Sequence, residues 1–363
     1  MNTLRTHTSR QGCNDIAFDS YSSPNWKNKH KVLASELLTT ARLNAYYGLR
    51  REQVMKAISG VFKNIGKPID IGKLAFLVAT NATISIILGG KFRGEKGDTM
   101  KDHFKDISSE LMELIGKPNV SDIFPAVARL SKEINQSLNE LLESVIQVAT
   151  EEEKNEEKLG FLQLLLHLEG KNNEDNASSL TMNQVKGLLA EIVIGGTDTT
   201  TTMVEWTMAK LIQHLKILEK TKNDLTNVVG LNNVVEESHL PNLRYLNAVT
   251  KETFRLHPAL PLLVPRYSAE SRNLGGYNIP KGSKVFLNMW SIHRDSHVWD
   301  NPLEFKPERF LNDVPGKFDY FGNDFRFMPF GSGRRKCSGL PLAEKMLYLI
   351  LASMLHSFEW KLP

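Results

Sequence analysis

The chain has 363 residues, enough for one large domain or two smaller ones, and its 41% hydrophobic and 24% charged residues match an ordinary globular protein. A formal net charge of +4 is too mild for the concentrated basic face that nucleic-acid binding requires. Two cysteines, Cys13 and Cys337, cannot build a disulfide framework or a zinc site of Cys/His spacing, and this fits a reducing compartment.

In chain order, the start MNTLRTHTSRQGC has no apolar core of the kind a secretory signal carries. Residues 35–63 predict one or two amphipathic helices. The apolar runs 74–79 and 84–88 are core-sized, and no stretch approaches the roughly 18 apolar residues of a membrane span, so no anchor is expected in the chain as written. Residues 120–148 predict two more helices, with Pro125 near the start of the first. The run 151–158 (EEEKNEEK) reads as a solvated helix end or loop, and 169–179 as a loop. Thr181 and Gln184 form a capping box that opens a long helix, with apolar periodicity from 185 to about 215. Its middle, Gly195-Gly196-Thr197-Asp198-Thr199-Thr200, breaks helix rules, which is a mark of either a kink or a functional site. A helix over 243–256 stops before Pro258. Gly- and Pro-punctuated strands such as 284–288 follow, and a last helix covers about 342–355.

The densest chemistry lies in Phe330-Gly331-Ser332-Gly333-Arg334-Arg335-Lys336-Cys337-Ser338-Gly339. Its glycines allow a tight turn and close approach to a flat object. Its cations, and the helix that follows, favour a low-pKa thiolate, suited to a nucleophile or a metal ligand.

F-x-x-G-x-R-x-C-x-G resembles the haem-binding loop of the cytochrome P-450 family, with matches at Phe330, Gly333, Arg335, Cys337 and Gly339. The resemblance implies a mainly α haem-thiolate fold with a small β portion. Haem b is then held axially by Cys337, a ligand that promotes O–O cleavage.

Glu252-Thr253-Phe254-Arg255 is by itself a common surface pair at i and i+3. It resembles the family's E-x-x-R helix, and Pro307-Glu308-Arg309-Phe310 its partner, which implies an architectural cluster of Glu252, Arg255 and Arg309. The Gly-Gly-Thr-Asp-Thr-Thr segment resembles the oxygen-activating motif, with Thr199 holding a water and Asp198 linking it to solvent as a proton relay. Arg335 and Arg266 match residues that meet the haem propionates. The family's early W-x-x-x-R appears as Trp26 followed by His30, a shorter and titratable group. Leu262, Leu263 and Val264, with Ile194, Gly195 and their neighbours Ile192 and Val193, are expected to wall an apolar pocket, each also readable as plain core.

Such phrases as GKPNVSDIFP and GGYNIPKGS resemble plant microsomal enzymes of specialised metabolism. The implied function is insertion of one oxygen atom from O2 into a lipophilic small molecule. A terpenoid, a sesquiterpene first among them, leads; fatty acids, phenolics and aldoximes stay open. NADPH-derived electrons would come from a separate flavoprotein reductase, drawn by Arg334, Lys336 and Lys345. No Gly-rich nucleotide site follows a strand in the chain itself. The implied place is the cytosolic face of the endoplasmic reticulum membrane. Residues 1–11 read as an atypical tail, and 12–363 as one domain lacking the family's N-terminal anchor region and C-terminal hairpin. The rival readings are a truncated haem-binding protein without turnover and a haem-free protein with a reactive Cys337.

Overall fold

The computed structural model describes residues 16, 23–90, 140, 142–143, 146–147, 160–169, 180–311 and 318–362. The expected run 151–158 and nearly all of 120–148 lie outside them. The chain forms two compact units, Met1–Thr201 with Pro341–Ile350, and Thr202–Leu340 with Leu351–Pro363.

In the first unit, α1 (Pro24–Val32) starts with proline at its first position, where the missing N–H costs nothing. It runs into a π-helical turn, Leu33–Leu37. The one or two helices expected over 35–63 are two, after this turn. Thr39 caps α2 (Thr40–Ala45) by accepting from Arg42 N–H at 3.3 Å, and Tyr46 separates α2 from α3 (Tyr47–Phe62). The two apolar runs merge into one helix, α4 (Ile71–Ile87), capped by Asp70 through Lys73 N–H at 2.8 Å. It buries Ala75, Val78, Ala79, Ala82 and Ile86 and packs on α3 and on α5 (Phe161–Leu168). Each buried large side chain, such as Phe161 or Leu165, stabilises the unit by roughly 1.5–3 kcal/mol. No helix among the described residues is long and apolar enough to cross a membrane.

The long helix α6 (Met182–Gln213) has the expected capping box: Thr181 N–H donates to Gln184 Oε1 (2.9 Å) and Gln184 N–H to Thr181 Oγ1 (3.3 Å). It ends at Gln213, within two residues of where the periodicity suggests. His214 leaves helical geometry at φ −125°, and a separate amphipathic helix, α7 (Leu215–Val229), follows.

In the second unit, α7 packs on α8 (Arg244–Leu256). Leu243, at the N-cap of α8, has no capping side chain. Asp224 of α7 supplies the cap instead, accepting from Tyr245 N–H (3.0 Å) and Leu246 N–H (3.2 Å). Two short antiparallel ribbons follow. β1 (Arg266–Tyr267) pairs with β4 (Lys284–Val285), and β2 (Arg272–Leu274) pairs with β3 (Tyr277–Ile279) across the Gly275-Gly276 turn. A short helix, α9 (Met289–Ile292), and the 3-10 turn Pro307–Phe310 complete the meander that leads to the cysteine loop. α10 (Leu340–Ser357) contributes to both units. The mainly helical architecture with a small β portion is the one expected.

Candidate active site

The cysteine loop is closed by its own backbone. Met328 C=O accepts from Gly331 N–H (3.0 Å), Gly333–Arg335 forms one 3-10 turn, and Cys337 N–H donates back to Phe330 C=O (2.9 Å). The Phe330 ring anchors the start of the loop on α8, with ring centroids 5.1 Å from Phe254 and 5.4 Å from Tyr320. Gly322 was not singled out from sequence, yet it is required. At φ +71° its hydrogen faces the loop, and a Cβ there would lie 2.3 Å from Gly331 O. Gly333, at φ +66°, has nothing within 4 Å of where a Cβ would stand, so one side of the loop is open.

Cys337 lies just before α10, and the backbone N–H groups of Gly339 and Leu340 donate to its sulfur. The residue as a whole is exposed. Even so, the protein packed around it desolvates the charged form and pushes the thiol above its ordinary range, outweighing those two N–H groups and the charge of Lys336. Together they describe an exposed loop residue whose thiol is set back against protein. The expectation of a low-pKa thiolate in the unliganded loop is thereby corrected: burial dominates the cations.

The chemistry of this site is that of a single soft donor. Among the described residues no group of three His, Cys, Asp or Glu side chains could hold a metal ion. Cys337 therefore suits a metal that brings its other ligands with it, and the glycine-lined open side suits a flat macrocycle. Arg266 lies against the same loop, its Nη2 donating to Ser332 O at 3.4 Å, and Arg335 stands within it. These cations fit the carboxylates of a haem.

Behind the loop sits a buried ionic cluster. Arg255 meets Glu252 in a bidentate pair, Nε to Oε2 at 2.7 Å and Nη2 to Oε1 at 2.8 Å, with both side chains fully buried. Arg309 Nε (3.0 Å) and Lys306 N–H (2.9 Å) also donate to Oε1. The remaining guanidinium donors reach main-chain carbonyls. Arg255 bonds to His293, Pro302 and Glu304, and Arg309 to Asp300, Asn301 and Glu304. This cluster thus gathers the otherwise irregular segment 293–309 onto α8.

The segment after α8 turns sharply at Leu263, which takes the left-handed φ of +50° that side chains rarely adopt. Its side chain faces Gly331, 3.7 Å from where a Cβ there would stand, so it belongs to the support of the loop more than to a pocket wall. Leu262 and Val264 are 46% and 39% exposed, as apolar lining residues would be.

In the first unit, α6 continues through Gly195-Gly196 as α-helix. Thr199 Oγ1 donates to Gly195 O at 2.8 Å, as Thr201 does to Thr197, so the hydroxyl's lone pairs stay available as acceptors. Desolvation raises the Asp198 carboxyl above its usual range. Ile192 and Ile194 are partly exposed and Gly195 is exposed. Val193 is buried, since successive helix residues cannot share a face, and it belongs to the core. Trp26 stacks on His30 with ring centroids 4.9 Å apart, and its indole N–H donates to Ile16 O (3.1 Å). The donor expected to serve a cofactor is thus engaged within the chain.

The comparisons with known proteins agree with this geometry. A sequence model described as Cytochrome P450 matches residues 1–363. The chain is 36% identical to a flavonoid 3′-monooxygenase of Petunia hybrida, over 96% of this chain and 70% of that enzyme. It is 34% identical to a geraniol 8-hydroxylase of Catharanthus roseus (96% and 75%) and 36% identical to a carnosic acid synthase of Salvia pomifera (94% and 70%). A zebra fish cytochrome P450 solved with progesterone superimposes with a TM-score of 0.83 at 28% identity, covering 98% of this chain and 80% of that one. The chain belongs to the cytochrome P450 family, oxidoreductases that incorporate an atom of molecular oxygen into their substrates.

Proposed function

We propose that this chain holds haem b through Cys337 and hydroxylates a lipophilic terpenoid, a sesquiterpene being the leading class. The observation that carries the reading is Cys337 itself, an exposed residue whose thiol is backed by protein in a glycine-built loop. When bound, haem supplies the activation of dioxygen. The chain's own residues do the rest. Gly339 and Leu340 N–H groups hold charge on the sulfur. Arg266 and Arg335 would hold the propionates of a bound haem. Thr199 offers an acceptor oxygen that fixes a water, and Asp198, whose carboxyl is shifted toward neutrality by burial, passes a proton inward. Leu262 and Val264 present apolar surface that favours a substrate with few polar handles. Electrons come from NADPH through a separate flavoprotein reductase, met by Arg334, Lys336 and Lys345, at the cytosolic face of the endoplasmic reticulum membrane.

The relatives support the substrate class unevenly: geraniol is a terpenoid alcohol, while the petunia enzyme acts on a flavonoid. The deciding experiment loads the chain with haem and records the reduced, carbon monoxide-bound difference spectrum beside Cys337→Ala. A strongly red-shifted Soret band, absent in the variant, is expected. Its absence in the parent chain sinks the reading and favours a haem-free protein with a reactive Cys337, whereas the band without product from any substrate favours a haem-binding protein without turnover. Titration with sesquiterpenes and flavonoids then ranks the substrates, and tighter spectral binding of flavonoids would overturn the terpenoid assignment.

Thr199→Ala should leave that band intact while cutting product formed per NADPH by roughly a hundredfold, the low end for a positioned proton-transfer group. Unchanged coupling would remove Thr199 from the relay.

A further inference from the structure

His293 is fully buried, carries no role in the mechanism above, and bridges two parts of the site. Its carbonyl accepts from Arg255 Nη1 at 2.7 Å, which ties it to the ionic cluster. Its ring Nε2 accepts from Met328 N–H at 3.2 Å. Met328 is the residue whose carbonyl opens the cysteine loop by accepting from Gly331. One residue therefore receives the cluster on its backbone and hands the loop its first fixed point on its side chain. Among the described hydrogen bonds no other side chain runs from this segment to Met328, Pro329 or Phe330.

An accepting Nε2 fixes the tautomer, because a neutral imidazole then carries its proton on Nδ1. Nδ1 makes no hydrogen bond of good geometry, although the ring lies beside the carbonyls of Phe254 and Arg255. Phe327 packs on the ring at 5.6 Å between centroids and helps keep its orientation. Desolvation and the neighbouring Arg255 charge hold the imidazole neutral, with its pKa lowered to about 4.

We propose that His293 is a positioning residue: its neutral Nε2 couples the Glu252–Arg255 cluster to the start of the Cys337 loop and so sets how the thiolate is presented to haem. The inference rests on the reading of Cys337 as the haem ligand, but the coupling itself is a property of the polypeptide. It separates two jobs that a buried histidine could do, filling space and accepting one hydrogen bond.

Three substitutions distinguish them. His293→Gln places an amide oxygen near Nε2, His293→Asn places one near Nδ1 instead, and His293→Phe fills the volume with no acceptor. Each full-length chain is loaded with haem and its carbon monoxide difference spectrum recorded. Hydrogen exchange of the peptide containing Met328 is measured before loading. Expected are exchange within about twofold of the parent and a retained thiolate-type band in His293→Gln. Exchange about tenfold faster, and a band largely replaced by its blue-shifted form, are expected in His293→Asn and His293→Phe. Parent-like exchange in His293→Phe, or failure of His293→Gln to rescue, would overturn the proposal. If the parent itself gives no thiolate band, the functional reading fails while the exchange series still decides the coupling. If no variant folds, nitrogen-15 spectra of the parent's imidazoles decide, and a proton on Nε2 of His293 would overturn it.

Discussion

Glu252→Ala is expected to cost about 3–5 kcal/mol of folding stability, because removing one partner of a buried ion pair strands the other. The reasoning rests on how many groups share this carboxylate. It accepts from Arg255 twice, from Arg309 and from the Lys306 N–H, and both Glu252 and Arg255 are fully buried. Without it two guanidinium groups face each other across a dry cavity, and the chain from 293 to 309 loses its common anchor. Arg255 would still reach the carbonyls of His293, Pro302 and Glu304, so the collapse should be partial in geometry though large in energy. Urea unfolding of Glu252→Ala, Arg255→Ala and the double variant checks the point. The double variant should cost clearly less than the sum of the singles, as residues in one network do. Additive losses, or a single loss below about 1 kcal/mol, would place the cluster among ordinary surface pairs.

That cluster also shows which parts of the site a sequence can disclose. Glu252 and Arg255 are three residues apart on one helix, and Arg309 sits in a distinctive tetrapeptide, so local spacing and motif pointed to them. The Thr181/Gln184 box was legible for the same reason, since both partners lie within one turn. Helix α7, which starts directly after His214, was not, because no glycine or proline separates it from α6. Gly322 and His293 were invisible for a different reason. Their importance comes from partners distant in sequence, Gly331 O for one and Met328 N–H for the other, and only tertiary structure brings these together. Leu263 was read with its neighbours as pocket wall because composition cannot reveal a left-handed φ that reverses where a side chain points.

The same buried histidine makes acid the second large perturbation. The imidazole of His293 has an ordinary pKa of 6.5 and a folded value of about 4. Between these values the unfolded chain binds more protons than the folded one, so stability falls as pH drops from about 6.5 toward 4. For this fully buried ring the loss approaches roughly 3 kcal/mol at the lower end. Below about 4 the folded ring protonates as well and can no longer accept from Met328. His257, stacked on Trp206 at 3.8 Å, is lowered to about 4 and acts in the same direction with less weight, being partly exposed. Asp198 and Asp224 oppose the trend, since their folded carboxyls titrate above the ordinary 3.8 and take up protons more readily than in the unfolded chain. Comparing urea midpoints of the parent and His293→Gln from pH 7 to 4.5 cancels every shared group. The parent should lose stability more steeply than the variant, and the gap between the two slopes reports His293 alone. Parallel slopes would mean that the ring takes up its proton as readily in the folded protein as in the unfolded chain, and a parent that gains on the variant as pH falls would mean that the folded ring is already protonated; either outcome counts against Nε2 as the acceptor that ties the ionic cluster to the cysteine loop.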